Sequence, residues 1–251
     1  MSEESATAAA LLIGNEILSG RTQDANLAHL GQQLADLGIP LCEARVVADE
    51  ETQIVAAIRA LSARYTYVFA TGGIGPTHDD ITTEAIARAF DRPLEVNSAA
   101  EAKLKQYYRV EKLSAPRLKM AMVPAGSTLI DNPVSSAPGF RIENVFVLAG
   151  VPSIMQTMFD ALKHQLRGGA PILSRSVTAP IGESRIAEGL AAIQRRYAGL
   201  KIGSYPFAEL GRVVTSIVLR GTDARHLQRA ADEVVALMKD SGVPATEIAR
   251  R

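Results

Sequence analysis

Apolar positions in the first two thirds of the chain fall into two patterns: short unbroken runs, and runs spaced three and four residues apart. An unbroken run of roughly 4–8 apolar residues fits a buried strand, and the wider spacing fits one face of a helix. Residues 8–13, "AAALLI", are therefore a strand that stops at Gly14. Residues 22–37 form a helix through Leu27, Leu30, Leu34 and Leu37, ended by Gly38 in the usual C-terminal position. A strand at 41–47 follows, then a helix at 51–63 through Ile54, Ile58 and Leu61. Residues 65–70, "YTYVFA", are a third strand that runs straight towards Gly72, and 82–90 is a further helix. This alternation predicts a mostly parallel sheet covered by helices on both faces, a three-layer α/β/α domain. Beyond it the pattern gives a helix at 101–112, strands at 121–123 and 145–148, and a helix at 153–166.

After "RGGAP" at 167–171, the best linker candidate, the pattern changes. Strands at 174–179, 201–205 and 213–219 are interleaved with helices at 184–197 and 224–241. That order predicts a small α+β domain of split βαβ type. The expected domains are 7–167 and 172–251, with 1–6 read as a disordered tail.

Net charge is zero, so no long-range attraction to nucleic acid or to an anionic membrane is expected. Tryptophan is absent and aromatics are few, which leaves little for stacking single-stranded bases. The lone cysteine, Cys42, excludes a disulfide framework and a cysteine-rich zinc site, and its apolar context reads as a buried, inert thiol. The acidic start "MSEESATAAALLIG" does not suit a signal peptide, and no apolar run approaches the length of a membrane span. A cytoplasmic protein is expected.

Candidate chemistry concentrates in "GGIGPTHDDITTEA", residues 72–85, placed where a parallel strand gives way to a helix. Ligands of such sheets bind outside the carboxyl ends of the strands. Glycines allow positive φ and close backbone approach, and free N–H groups at a helix start attract anions. The spacing is neither that of the P-loop nor that of the dinucleotide fingerprint, because no Gly-Lys-Ser/Thr follows and the third glycine is missing. Asp79 and Asp80 pose a problem, since carboxylates repel phosphate. One reading is structural: Thr77, Asp79, Asp80 and Thr82 cap the helix. The other is chemical. Asp49 and Glu50 follow the second strand, Glu16 follows the first and Asp24 lies just beyond it, all at strand ends expected to share one sheet edge. Carboxylates gathered beside a phosphate loop require a bridging cation, for which Mg²⁺ is the usual choice.

"GGIGPTHDDIT" at 72–82 resembles the signature of the MoaB/Mog molybdopterin-binding fold. It is most similar to the branch found in CinA-like (competence/damage-inducible A) proteins and in the pterin-binding-like domain of FAD synthases. "GNEILSGRTQDAN" at 14–26, "VVADE" at 46–50, "NPVSSAPGF" at 132–140 and "AGVPSIM" at 149–155 agree in order, and "IGES" at 181–184 with the strands after it resembles the KH-like domain that follows in CinA-like proteins. The resemblance covers about 8–166 and implies either molybdopterin binding or hydrolysis of a diphosphate bond in ADP-ribose or FAD. For the hydrolytic branch it implies a divalent metal, potassium assistance and no organic cofactor.

Carried over by position, Asp80 and Asp49 are the implied catalytic and metal-binding acids. Asp79 joins them, because CinA-like proteins have Asp where Mog proteins often have a basic residue. Implied ligand-binding residues are Gly72, Gly73, Gly75, Pro76, Thr77, His78 and Thr82 in the main loop. Asn15, Glu16, Asp24 and Asn26 come from the first motif, Ser136 from the fourth, and Gly150, Pro152 and Ser153 from the fifth. The chain departs from the family pattern at Asn15 (often Asp), Ser135 (usually Gly), Ala149 (usually Pro) and Ile154 (usually Glu). His78 fits a general base, a phosphate ligand or a plain loop residue, and Arg21 fits a phosphate partner or a solvated cation. Asn26 fits a phosphate or ribose contact, or a hydrogen bond where its helix starts. No Gly-x-x-Gly lies in 172–251, so RNA binding by that part is not expected, and it reads as a dimerisation module.

Overall fold

The computed structural model describes residues 6–209 and 211–250, apart from the side chains of 248–250. The tail expected at 1–6 lies, but for Ala6, outside the described residues. The chain forms two compact units that divide at Gly169 and Ala170, with the short segment Ala35–Gly38 grouped with the second.

The first unit runs β1 (Ala8–Ile13), α1 (Asn15–Leu18), α2 (Asn26–Asp36), β2 (Leu41–Val47), α3 (Glu51–Ser62), β3 (Tyr67–Thr71) and α4 (Thr82–Ala89). It continues with β4 (Leu94–Val96), α5 (Ser98–Tyr108), α6 (Ala115–Lys119), β5 (Met122–Pro124), β6 (Thr128–Ile130), β7 (Gly139–Ile142), β8 (Val145–Leu148) and α7 (Pro152–Leu162). Six strands form a sheet in the order β2-β1-β3-β8-β7-β6. The four strands β2, β1, β3 and β8 are parallel, and β7 and β6 complete the sheet antiparallel. Strands β1, β3 and β8 are buried along their whole length, which explains why each reads as an unbroken apolar run. Phe69 stacks on Phe146 at 5.2 Å between ring centres and tilts against Phe159 at 5.6 Å, knitting the sheet to α7.

Several boundaries differ from the sequence reading, each for a local reason. The helix expected at 22–37 begins at Asn26, because the Asp24 carboxylate accepts the Leu27 N–H and holds the preceding residues in a turn. The helix expected at 101–112 spans Ser98–Tyr108: Asn97 caps it by accepting the Ala99 and Ala100 N–H groups, and Arg109 ends it at φ 53°. The strand expected at 65–70 starts at Tyr67, since the Tyr65 N–H still closes the last turn of α3 on Leu61 O. The helix expected at 153–166 ends at Leu162 and passes into a 3-10 turn, Lys163–Gln165. Elements of three to five residues (α1, α6, β4, β6) are too short to show a period.

Cys42 corrects the sequence reading outright: it is exposed, not buried. Strand β2 is an edge strand on which every second residue faces solvent, so the helical layer does not cover both faces there. Apolar neighbours in sequence do not bury a side chain when the sheet ends beside it.

The second unit runs β9 (Leu173–Ala179), α8 (Ala187–Arg196), β10 (Lys201–Glu209), β11 (Arg212–Gly221), α9 (Ala224–Asp240) and β12 (Thr246–Arg250). Its sheet, β10-β11-β9-β12, is antiparallel throughout. This βαββαβ order is the split βαβ arrangement. Val177, Ile217, Leu219, Leu227 and Val234 lie in its core. The hairpin β10–β11 is longer than its apolar pattern, and β12 has no clear pattern of its own. Among the described residues no helix is long and apolar enough to cross a membrane.

Candidate functional site

The carboxyl ends of β1, β3 and β8 lie side by side, with Leu12 paired to Thr71 and Thr71 to Leu148. The residues that follow pack backbone on backbone. Gly72 donates its N–H to Leu148 O at 3.2 Å, has φ 105°, and would drive a β-carbon into Ile13 O. Only glycine fits there. A β-carbon on Gly150 would sit 3.1 Å from Gly72 Cα. Asn26 Nδ2 donates to Gly150 O at 2.8 Å, tying the start of α2 to the β8–α7 connection.

The segment from Gly72 to Ile81 is closed by its own side chains. Gly73, at φ 65°, gives its carbonyl to the Thr82 N–H at 3.0 Å, and a β-carbon there would collide with Thr82 Oγ1. Asp80 Oδ2 accepts the Thr77 N–H at 2.8 Å and also the Thr77 hydroxyl. A β-carbon on Gly75 would lie 2.6 Å from that carboxylate. Helix α4 is preceded by Ile81 and has no side-chain cap, so the expected capping by Thr77, Asp79, Asp80 and Thr82 does not form. Asp80 closes the loop instead. In the first turn of α4, Thr82 N–H goes to Gly73 O and Ala85 N–H to Ile81 O, while those of Thr83 and Glu84 find no acceptor among the described residues. Two donors thus remain at the positive end of the helix.

Pro76, His78 and Asp79 are exposed, and His78 Nδ1 stands 4.0 Å from Asp79 Oδ1. The Thr77 hydroxyl, whose one proton is shared between Asp79 and Asp80, and then the backbone N–H of Asp79 itself hold the Asp79 carboxyl below its ordinary range, and the His78 and Lys119 charges act in the same direction. Lys119, at the end of α6, donates to Thr77 O at 3.1 Å and lies 3.5 Å from Glu84 Oε1. It brings a positive charge to the loop from far along the chain, and no periodicity or motif in the sequence marks it.

The first motif contributes mostly through backbone and carboxylates. Asn15 donates its N–H to Asp49 Oδ2 at 2.8 Å, which ties the end of β2 to that of β1. Glu16, Asp24, Asn26, Gly150 and Pro152 line a cavity of about 50 Å³ together with Thr71. Ser136, at φ 58°, sits in a turn organised by buried Asn132, whose side chain bonds Ser135 and Ala137 O. Ser153 is exposed in the first turn of α7. Among the described residues neither Ser136 nor Ser153 is hydrogen-bonded to the Gly72 loop, and Arg21 is exposed.

These carboxylates do not fit a preformed metal centre. Asp80 is turned onto Thr77 and Asp49 onto Asn15. Among the described residues no three His, Cys, Asp or Glu side chains come together as ligands. The loop carries acids beside an anion-attracting helix start because one of them is satisfied within the loop and Lys119 stands close by.

Comparison with known proteins adds a family. Residues 9–168 match the sequence model of a family described as a probable molybdopterin-binding domain, and 171–247 match that of the FAD synthase middle domain. A protein of Archaeoglobus fulgidus is 33% identical over 229 residues, covering 91% of this chain and 96% of its own length. A CinA-like protein of Desulfosudis oleivorans is 32% identical over 242 residues, and the chain spans 58% of that longer relative. The crystal structure of the protein CinA from Thermoplasma acidophilum, a protein described as of unknown function, matches with a TM-score of 0.62 at 34% identity. The match covers 64% of this chain and 98% of that one.

Proposed function

Because this chain belongs to the probable molybdopterin-binding domain family, in its CinA-like branch, we propose that its first unit binds the diphosphate of a small nucleotide and hydrolyses it. ADP-ribose and FAD are the proposed substrates. The observation that carries this reading is the loop itself: positive-φ glycines, two unused amides at the start of α4, and Lys119 beside Thr77. The amides and Lys119 hold phosphate oxygens, and Gly72 and Gly73 let the backbone come close. Hydrolysis joins a water oxygen to one phosphorus and breaks its bond to the bridging oxygen, releasing two monophosphates. Asp79, exposed and with its carboxyl below the ordinary range, orients that water together with Asp80, whose Oδ1 carries no hydrogen bond among the described residues while Oδ2 takes both Thr77 bonds. Among the described residues Asp49, Asp79 and Asp80 do not come together as a ligand set, so a divalent ion that assists would be held by one or two of them and the bound diphosphate.

Product analysis tests this. ADP-ribose, FAD and NAD are incubated with the full chain, with and without Mg²⁺ and K⁺. The reading expects AMP from ADP-ribose or FAD, and intact nucleotides under every condition would refute it. The second reading is pterin binding without chemistry. The family description and the unconverged carboxylates favour it, and it expects a bound pterin and no nucleotide products.

We also propose that the second unit forms a homodimer. Tyr205, Phe207 and Val213 of the β10–β11 hairpin are exposed, and closed two-fold dimers are the commonest assembly. Light scattering at micromolar concentration should give twice the chain mass; a strict monomer would remove the idea.

A further inference from the structure

We infer that Asn26 selects the ligand's sugar, by accepting a hydrogen bond from a hydroxyl of the ribose that adjoins the bound diphosphate; this rests on the diphosphate reading above. Asn26 begins α2 and is only 3% exposed. Its orientation is fixed from one side. Nδ2 donates to Gly150 O at 2.8 Å, and turning the amide over would set two carbonyl oxygens against each other. Oδ1 must therefore point the other way, and there it is buried with no partner among the described residues. A buried amide oxygen left unpaired is unfavourable, and native interiors avoid it. The group that completes it comes from outside the polypeptide.

The surroundings define that group. Asn26 lines the 50 Å³ cavity with Glu16, Asp24, Thr71 and Gly150. Two carboxylates and an amide oxygen make a lining rich in acceptors. A phosphate oxygen would be repelled, and a methylene would leave Oδ1 unpaired. A small neutral donor satisfies it, and the volume suits a hydroxyl rather than a base. Position points the same way. Gly150, which Asn26 holds, packs directly on Gly72, and Thr71 lines the same cavity, so the cavity borders the start of the phosphate loop. A diphosphate on that loop places its attached sugar nearest to Asn26. Sites built to bond a hydroxyl discriminate strongly against ligands that lack it.

The test compares ADP, 2′-deoxy-ADP and 3′-deoxy-ADP by isothermal titration on the full chain. In the wild-type protein at least one deoxy analogue should bind about tenfold or more weakly than ADP, the penalty of stranding a buried acceptor. In Asn26→Ala the ligands that carry the bonding hydroxyl should bind more weakly, and the gap to the analogue that lacks it should close to within about twofold. Equal wild-type affinities for all three would overturn the role of Asn26 and leave the diphosphate reading standing. A gap that persists unchanged in Asn26→Ala would also overturn it, by placing the selection elsewhere. Failure of the wild-type protein to bind any of the three would overturn both. The wild-type comparison needs no variant, so the inference stays testable if Asn26→Ala does not fold.

Discussion

Gly73→Val should abolish nucleotide binding and lower the unfolding midpoint together. The two effects have one origin. Gly73 holds φ 65°, a conformation that disfavours side chains by roughly 1–2 kcal/mol. Its missing side chain is also the space occupied by the buried Thr82 hydroxyl, and overpacking of that kind adds roughly 1–3 kcal/mol. The chain relieves the strain by moving the loop away from α4, which breaks the bond from Thr82 N–H to Gly73 O. The amides proposed to hold phosphate then no longer face the ligand. A loss of about 2–5 kcal/mol in urea unfolding is expected, with ADP affinity down by about a hundredfold or more. A double-mutant cycle tests the cause. Gly73→Ala combined with Thr82→Ala should cost about 1 kcal/mol less than the sum of the two single changes, because the hydroxyl that the new methyl strikes has gone. Strict additivity would mean that Thr82 is not the obstacle. Unchanged ADP affinity in Gly73→Val would make the loop a structural turn and remove it from the site.

What could be read from the sequence follows from range. The parallel core, β1, β3 and β8, announces itself because strands buried on both faces are apolar without interruption. Gly72 to Gly75 is legible because a strand end, three glycines and a helix start lie within a few residues. Features that depend on a distant partner are not. Lys119 reaches Thr77 across 42 residues, and nothing near it distinguishes it from an ordinary surface lysine. The Asp80 carboxylate looks like a helix cap because it stands just before α4, yet it folds back onto Thr77, a choice made by φ and ψ within the loop. Cys42 misleads for the reverse reason: its neighbours suit a strand, but burial depends on whether another strand or helix covers that side. The site is similarly divided. Glu16, Asp24, Asn26, Gly150 and Pro152 converge on one cavity, as their place at strand ends suggests, whereas Asp49, Asp79 and Asp80 do not converge as metal ligands.

Asp80→Asn separates the structural from the chemical role of that residue, and the expected outcome is a loss of hydrolysis by about 10²–10⁴ with binding retained. The substitution suits the geometry. Asp80 Oδ2 accepts both the Thr77 N–H and the Thr77 hydroxyl, and an asparagine oxygen of the same reach can accept from the same donors. Ile81, not Asp80, precedes α4, so no capping bond is lost. Stability should therefore change by no more than about 1 kcal/mol, the difference between a charged and a neutral acceptor in a partly exposed turn. Removing a negative charge beside the α4 amides and Lys119 should leave diphosphate affinity unchanged or raise it, most clearly at low salt. Asp80→Ala provides the contrast: it deletes the acceptor itself, frees Thr77, and should weaken binding as well as turnover. If Asp80 only holds the loop, Asn should pass as wild type in both assays and Ala should fail in both. If Asp80 also acts on the reacting phosphate or its water, Asn should bind like wild type and fail to turn over. A folded Asp80→Asn protein that cleaves ADP-ribose or FAD at the wild-type rate would sink the catalytic role and leave Asp80 as the residue that closes the loop.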